Sequence, residues 1–243
     1  MLRVGTAGIP HSAEKRDTLS GIQRVAELGL SAMELEFVRG VNMNPVNARK
    51  AGSLARKLGV SLSVHAPYYV NLASVEDKKI QASIDRVFDA AVVGDAAGAE
   101  IVVFHPGFYS GRDPKEAGEL IVEGVSVLRE RLDDAGAEIL LGPEAMGKLS
   151  QYGTIDELIK LSMEVQGCVP VVEWCHIHAR SLGGLSSPKD YGGVLEKIRK
   201  KLGTTCFHMH FSGVEYTDRG EKKHLPFSSM QPDYAPLVAY KNK

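Results

Sequence analysis

The sequence predicts an α/β protein, a (β/α)8 TIM barrel that lacks an eighth βα unit. Apolar strand-like runs alternate with segments of helical periodicity along the whole chain. The length of 243 residues is close to the roughly 250 typical of such a barrel. Polar side chains follow most of the strand-like runs, and no GxGxxG or GxxxxGK[ST] loop is present, which disfavours an open, nucleotide-binding sheet.

Seven strands and six intervening helices are expected. The strands are expected at residues 2–8, 32–38, 62–67, 101–107, 138–144, 169–176 and 206–213. The helices are expected at residues 18–30, 44–60, 75–98, 113–136, 154–165 and 188–203. The sequence after the seventh strand starts a further helix but contains no eighth apolar strand. We therefore expect one TIM-barrel domain over residues 1–243, truncated at its C-terminal end.

Composition describes an ordinary globular chain. Hydrophobic residues make up 44% and charged residues 24%, and the formal net charge is −1, so the chain lacks the strong overall basic charge of a histone-like binder. The N-terminus begins as a strand and no apolar run is long enough to span a membrane, so we expect a cytoplasmic, monomeric protein without membrane contact. Three cysteines without CxxC spacing argue against a disulfide framework or a thiolate zinc site.

Potential metal ligands recur at the ends of the strand-like runs. In a βα-repeat protein these ends converge on one rim, so the pattern predicts a metal site there. Histidine and carboxylate ligands suit Zn²⁺, Mn²⁺ or Fe²⁺ and disfavour Ca²⁺ and Mg²⁺. The residues alone could hold two such ions and leave the choice of metal open. The candidate ligands are His65, His105, Glu144, Glu173, His176, His208 and His224.

Glu144 is the candidate catalytic residue because a carboxylate has two oxygens and can bridge two metal ions. Two ions about 3.5 to 4 Å apart can clamp the attacking and leaving oxygens of a phosphoryl displacement, so phosphodiester hydrolysis is the expected reaction. His178 and His210 each lie two residues from another histidine, and on a strand such pairs share a face. We expect these two to orient ligating imidazoles through hydrogen bonds rather than to bind metal.

Several motifs together resemble the endonuclease IV family of apurinic/apyrimidinic endonucleases. They are HAPYYVNLAS at 65–74, FHPG at 104–107, the glutamate at 144, EWCH at 173–176, and HMHFSG followed by KKHLPF. The resemblance implies a TIM barrel with a trinuclear zinc site that cleaves DNA 5′ to an abasic deoxyribose and leaves a 3′-hydroxyl. On this basis we expect two or three Zn²⁺ per chain, with Mn²⁺ possible. It assigns the first zinc to His65, His105 and Glu144, the second to Glu144, Glu173 and His208, and the third to His176 and His224.

The chain departs from the family pattern at three places. Glu173 stands where the family usually has aspartate, and its side chain reaches one methylene further. Lys222 stands where the third zinc takes an aspartate; an ammonium group cannot ligate, and its charge would oppose a cation beside it. Asp218 and Glu221 are the nearby substitutes. The eighth strand, which supplies a further glutamate, is absent.

The implied partner is DNA that contains abasic sites. Flipping a sugar out of the helix costs least where the base is missing, and side chains after the third strand are expected to support it. Basic side chains after other strands are expected to contact phosphates. The candidate DNA-binding residues are Tyr68, Tyr69, Asn71, Arg39, Lys148 and Arg180.

Two other functions remain open from the sequence. One is a sugar isomerase or epimerase of the xylose isomerase-like superfamily, which shares the barrel and uses one divalent metal for proton abstraction next to a carbonyl. The other is a catalytically decayed homologue that binds nucleic acid without cutting it. The number of metal ions per chain would separate the isomerase from the nuclease.

Overall fold

The computed structural model describes residues 2–241, in which strands and helices alternate through most of the chain. The first part contains β1 (Gly5–Ala7), α1 (Thr18–Glu27), β2 (Ala32–Glu36), α2 (Pro45–Leu58), β3 (Ser61–His65), α3 (Asp77–Ala96), β4 (Ile101–Phe104), α4 (Pro114–Asp134) and β5 (Leu140–Pro143). The second contains α5 (Ile155–Glu164), β6 (Val171–Glu173), α6 (Trp174–Arg180), α7 (Pro188–Leu202), β7 (His208–His210), β8 (Gly213–Thr217), β9 (Gly220–Leu225), a short 3₁₀ helix (Phe227–Ser229) and α8 (Ala235–Lys241).

The chain forms two compact units. Unit 1 comprises the chain up to Val70 together with Lys78–Phe104 and Gly124–Gly142. Unit 2 comprises Asn71–Asp77, His105–Glu123 and the chain from Pro143 onward. The expected single-domain boundary at 1–243, with truncation at its end, stays a prediction.

Unit 1 is built on the parallel strands of a five-stranded sheet with the order β1-β2-β3-β4-β5. Val64 on β3 pairs with Val102 on β4, and neither side chain is exposed. Helix α3 lies close to this sheet because Gly94 has no side chain: a Cβ there would be 2.8 Å from a methyl carbon of Val64. Strands β3 and β4 are buried on both faces, as expected of a parallel sheet covered by helices, whereas β1 is largely exposed.

Unit 2 contains a second parallel pair, in which β6 lies beside β7. The chain after β5 extends this arrangement, since Glu144 forms a parallel bridge with Val171 of β6. Trp174 and Tyr191 are fully buried beside it, with ring centroids 4.9 Å apart. This packing fixes the start of α6 against α7.

The expected strand over residues 169–176 is wrong in its second half. β6 ends at Glu173, whose carboxylate accepts a hydrogen bond from the Cys175 amide at 3.0 Å and so caps the N-terminus of α6. His176 and His178 therefore lie on a helix. The β8–β9 hairpin is also absent from the sequence-based expectation, because β8 alternates over only four residues and β9 is largely charged, without a period of two.

The six expected helices are confirmed as α1 to α5 and α7, with ends within about four residues of those expected. Their ends are marked by side-chain caps: Asp17, Asn44 and Thr154 each accept a hydrogen bond from a backbone amide of the first turn. Gly59 and Gly203 end α2 and α7 in the left-handed conformation. Among residues 2–241, no helix combines the length and apolar character needed to cross a bilayer.

Candidate metal centre

Glu144 is the central carboxylate of unit 2. It is only 2% exposed, and each of its oxygens faces an imidazole. Oε1 lies 2.6 Å from Nδ1 of His210, and Oε2 lies 2.9 Å from Nε2 of His105. A buried carboxylate held between two ring nitrogens is the arrangement expected of a bridging ligand.

Glu173 approaches the same group from β6. Its Oε2 lies 4.0 Å from Nδ1 of His210, because Glu173 and His210 are register partners in the β6–β7 pair. Ligand atoms of Glu144, Glu173 and His210 all lie within 4.8 Å of one another. These three residues form the carboxylate cluster, one of the possible metal sites of unit 2.

The roles expected for the two histidines of β7 are exchanged in this unit. His208 was the expected partner of Glu144 and Glu173, but its register partner is Val171, two residues before Glu173. His210, expected to orient a neighbouring ligand, contacts both carboxylates instead. The sequence shows that the two share a face of the strand but not which of them stands opposite Glu173.

His176 presents one defined ring nitrogen to a second group. Its Nδ1 lies 2.8 Å from the carbonyl oxygen of Ala145, which can only accept, so Nδ1 carries the proton. Nε2 is then the ring atom with a free lone pair. It lies 3.0 Å from Nε2 of His224 and 3.4 Å from Oε2 of Glu221. His176, His224 and Glu221 form the cluster that we call the histidine cluster.

His224 is held from its other ring nitrogen. Ser212 places its hydroxyl oxygen 2.8 Å from Nδ1, and the Cys175 sulfur lies 3.7 Å from the same atom. Burial, and secondarily the Glu173 carboxylate, raise the pKa of the Cys175 thiol far above its usual range. Cys175 is therefore a neutral thiol in the metal-free protein.

Lys222 does not stand beside the histidine cluster. Its ammonium lies 2.5 Å from the carboxylate of Glu215, and its neighbour Lys223 lies 3.1 Å from the same group. The expectation that a lysine charge would oppose a cation at this position is wrong. Of the two substitutes left open, Glu221 is the one that faces His176; Asp218 lies in the exposed turn between β8 and β9.

His178 was expected to share a strand face with His176, and this is wrong because both lie on α6. Residues two apart on a helix point in nearly opposite directions, since each residue turns by about 100°. His178 packs instead edge-on against Tyr216, with centroids 5.4 Å apart. Desolvation lowers the pKa of its imidazole, opposed by a hydrogen bond to the backbone of Leu185.

His65 belongs to unit 1, at the end of β3. Its Nδ1 lies 2.8 Å from the carbonyl oxygen of Ala66, which leaves Nε2 as the ligand atom. Its ring packs edge-on against Tyr68 at 5.3 Å. The side chains of Tyr68 and Tyr69 are 52% and 73% exposed, as a DNA contact requires. The assignment of His65 to a metal ion and of the tyrosines to DNA stays a prediction.

Asn71 joins two loops of unit 2. Its Oδ1 accepts from the Phe108 amide at 3.1 Å, and its Nδ2 donates to the Ser110 hydroxyl at 3.1 Å. Gly107 makes this approach possible, because a Cβ at its φ of +131° would lie 2.5 Å from Oδ1 of Asn71. The amide therefore holds the loop, whereas its expected contact with DNA stays a prediction.

Arg180 is engaged within the protein. Its guanidinium donates to the carbonyl oxygens of Met146, Lys148 and Gln151 at 3.3, 2.7 and 2.9 Å, and to the Tyr109 hydroxyl at 3.2 Å. It thus holds the loop over residues 146–151, which sequence reasoning did not anticipate. The other basic candidates differ: Arg39 in unit 1 is exposed, and Lys148 in unit 2 is half-buried.

Comparison with known proteins assigns this architecture to a family. Residues 22–239 match the family model described as the xylose isomerase-like TIM barrel. The chain belongs to this family. The predicted fold class is thereby confirmed.

Two relatives illustrate the range of similarity. An uncharacterized protein of Methanocaldococcus jannaschii is 36% identical over 98% of this chain and 86% of its own length. A protein of Bifidobacterium longum named probable endonuclease 4 is 29% identical over 68% of this chain. The match covers 59% of the length of that endonuclease relative.

Solved structures show the same fold with two kinds of named activity. Endonuclease IV from Thermus thermophilus has a TM-score of 0.66 at 20% identity, over 91% of this chain and 81% of its own. D-psicose 3-epimerase from Clostridium cellulolyticum has a TM-score of 0.63 at 14% identity, over 88% and 87%. At these identities both likenesses carry the fold alone.

Proposed function

We propose that the protein is a zinc-dependent DNA repair enzyme that hydrolyses the phosphodiester bond 5′ to an abasic site. The observation that carries the proposal is the environment of Glu144, whose two oxygens each face an imidazole while the carboxylate is buried. A carboxylate that offers both oxygens to ligating groups suits two ions rather than one. Relatives named probable endonuclease 4 support the same reading.

The residues of unit 2 fit the metal ions that this activity needs. Imidazole nitrogens and carboxylate oxygens form the donor set, which suits Zn²⁺ and permits Mn²⁺. The Ala145 carbonyl fixes the tautomer of His176, so its Nε2 lone pair is directed away from the backbone. When bound, such ions polarise a phosphodiester and activate water for in-line displacement.

The protein's own side chains would attract the metal ions and bind the substrate. Glu144 and Glu173 supply negative charge that would attract cations, and they are 2% and 5% exposed, in surroundings that strengthen electrostatic interactions. Substrate binding would depend on basic side chains such as Lys148, which follows Gly147 in the loop beside Glu221 and His176 and would meet DNA phosphates without base specificity. Abasic selectivity would come from the lower cost of flipping a sugar without a base.

A duplex with one tetrahydrofuran abasic analogue tests the activity. The purified protein should nick the strand 5′ to the analogue and leave a 3′-hydroxyl, and a chelator should abolish the nick until Zn²⁺ or Mn²⁺ is restored. Glu144→Gln should lower the rate at least 10³-fold, which corresponds to an activation barrier about 4 kcal/mol higher. Glu164→Gln, an exposed carboxylate near the end of α5, is the matched control and should cut normally. A chelator-insensitive nick, or none, contradicts the proposal.

A one-metal sugar epimerase is the second candidate. The carboxylate cluster of Glu144, Glu173 and His210, taken alone, is a set that one divalent ion could occupy. The structural likeness to D-psicose 3-epimerase concerns the same fold. One ion per chain together with ketose epimerisation and no nicking would favour this function. Tight binding to the abasic duplex without incision under any metal would instead indicate a decayed, non-catalytic homologue.

A further inference from the structure

A β-bulge in the β8–β9 hairpin decides which side chains of β9 face α6. The register pairs Val214 with His224, Glu215 with Lys223, and then Tyr216 with Glu221, so that Lys222 is the additional residue. Two residues on β9 here oppose a single step on β8, which is the definition of a bulge. The bulge reverses the alternation of faces at this point.

The consequence is that Glu221 and His224, three residues apart, share one face. In a regular strand residues three apart point to opposite faces. The register partners of both, Tyr216 and Val214, pack against Cys175 and Ala179 of α6, so this face is directed at the helix that carries His176. The opposite face holds Glu215 with its two lysines.

Glu221 converges with the two imidazoles at that face. Its side chain is 12% exposed, with Oε2 3.4 Å from Nε2 of His176 and Oε1 3.8 Å from Nε2 of His224. Both nitrogens are the ring atoms opposite those engaged by Ala145 and Ser212. Cys175 is the alternative third ligand, since its sulfur lies within 4.8 Å of a ring nitrogen of each histidine and 3.7 Å from Nδ1 of His224. Two nitrogens and one carboxylate thus point at a common position.

The neighbouring backbone is shaped for this carboxylate. The Glu221 amide donates to the Gly147 carbonyl at 3.0 Å, and Gly220 bridges Lys148, which ties β9 to the loop that Arg180 holds. A Cβ on Gly147 would lie 2.7 Å from Cβ of Glu221 and 3.1 Å from Cδ2 of His176. Residue 147 therefore has to lack a side chain for Glu221 and His176 to meet.

We infer that Glu221 is the anionic ligand of a separate metal position with His176 and His224, and that the bulge at Lys222 supplies it in place of the missing aspartate. The inference rests on the metal dependence proposed above but not on the identity of the substrate. It assigns a role to the extra residue of β9: Lys222 is an insertion that moves the ligand carboxylate one position back along the chain.

Metal content tests this assignment independently of activity. Zinc per chain is measured by inductively coupled plasma mass spectrometry after equilibration in limiting free Zn²⁺, together with circular dichroism to confirm folding. Glu221→Gln should bind one ion fewer than the wild type, whereas Glu215→Gln, on the other face of the same hairpin, should bind the wild-type number. An unchanged content in Glu221→Gln overturns the inference, as does a loss in Cys175→Ser without one in Glu221→Gln.

Deletion of Lys222 tests the bulge itself. Without the extra residue, glutamate and histidine would lie two apart on a regular strand and still share the face, so the deletion should retain the full zinc content. Glu221→Gln/Lys222→Asp should stay one ion short, because position 222 is directed at Glu215. Restoration of the ion in that double variant overturns the inference.

Absence of nicking by zinc-replete wild-type protein would contradict the proposed activity and leave the metal position intact.

Discussion

The Nε2 atoms of His176 and His224 lie 3.0 Å apart, with the proton of His176 fixed on its other nitrogen by the Ala145 carbonyl. One imidazole comes from a helix and the other from a hairpin, so neither element creates the pair alone. Their convergence depends on the loop around Gly147, which lies against both. Substitutions of Gly147 and of Arg180, which holds this loop, test the dependence.

Gly147→Ala should damage the histidine cluster. The added Cβ would meet Glu221 at 2.7 Å, closer than such carbons approach in proteins. We expect a loss of about 1–3 kcal/mol of unfolding free energy in urea, typical of overpacking, and a reduced zinc content. Gly193→Ala is the control, because Gly193 is an exposed position of α7 with nothing within 4 Å; it should stabilise the protein by about 0.5–1 kcal/mol. Equal effects of the two changes would contradict the close approach.

Arg180→Gln should lower stability without altering the salt dependence of DNA binding. The change removes hydrogen bonds to three carbonyls and a tyrosine hydroxyl, and each is worth about 0.5–1.5 kcal/mol, so we expect a loss of at least about 2 kcal/mol in urea unfolding. Lys148→Ala should instead weaken the salt dependence of DNA binding and leave stability nearly unchanged. It should leave the unfolding free energy within about 0.5 kcal/mol and reduce the slope of log K against log salt by about one. A reduced slope in Arg180→Gln would restore the expected phosphate contact.

The sequence predicts the helices and most strands because their apolar periodicity and caps are local features. It also identifies Glu144 as a candidate metal ligand, since an apolar run that ends in a carboxylate has few structural explanations. It does not distinguish His210 from His208, because that choice depends on the register between β6 and β7. The sequence does not single out Glu221 for a similar reason, because the bulge that turns it towards His176 depends on pairing with β8.

Asp190 should make the stability of α7 depend on acid pH. Its carboxylate accepts from the amides of Ser186 and Ser187 at 3.0 and 2.8 Å, and these hydrogen bonds, that of Ser186 first, lower its pKa below 3.8. A lowered folded-state pKa stabilises the protein above pH 3.8, and this contribution is lost as the pH falls through that folded value. Asp190→Asn should therefore lower Tm at about pH 7, with a smaller difference from the wild type near pH 3.

Asp134→Asn, at the C-terminal end of α4, provides the comparison for that titration. A carboxylate there opposes the helix dipole, so its removal should leave Tm at about pH 7 unchanged or slightly higher. If Asp190→Asn and Asp134→Asn shift Tm equally across the pH range, the cap of α7 does not stabilise the fold in the way its geometry indicates.

Removal of metal should destabilise the protein through Glu144 and Glu173. Both carboxylates are buried beside His210, and Glu144 also faces His105, so without a cation two negative charges lie close together in a site with little access to water. A ligand present at 100 times its Kd stabilises the folded state by about 2.7 kcal/mol, so a chelator should lower Tm by several degrees and added Zn²⁺ should restore it. In Glu144→Gln the chelator-induced shift should shrink, because that variant binds metal weakly from the outset. A wild-type Tm that does not respond to chelator would mean that these carboxylates are neutralised within the protein and hold no metal.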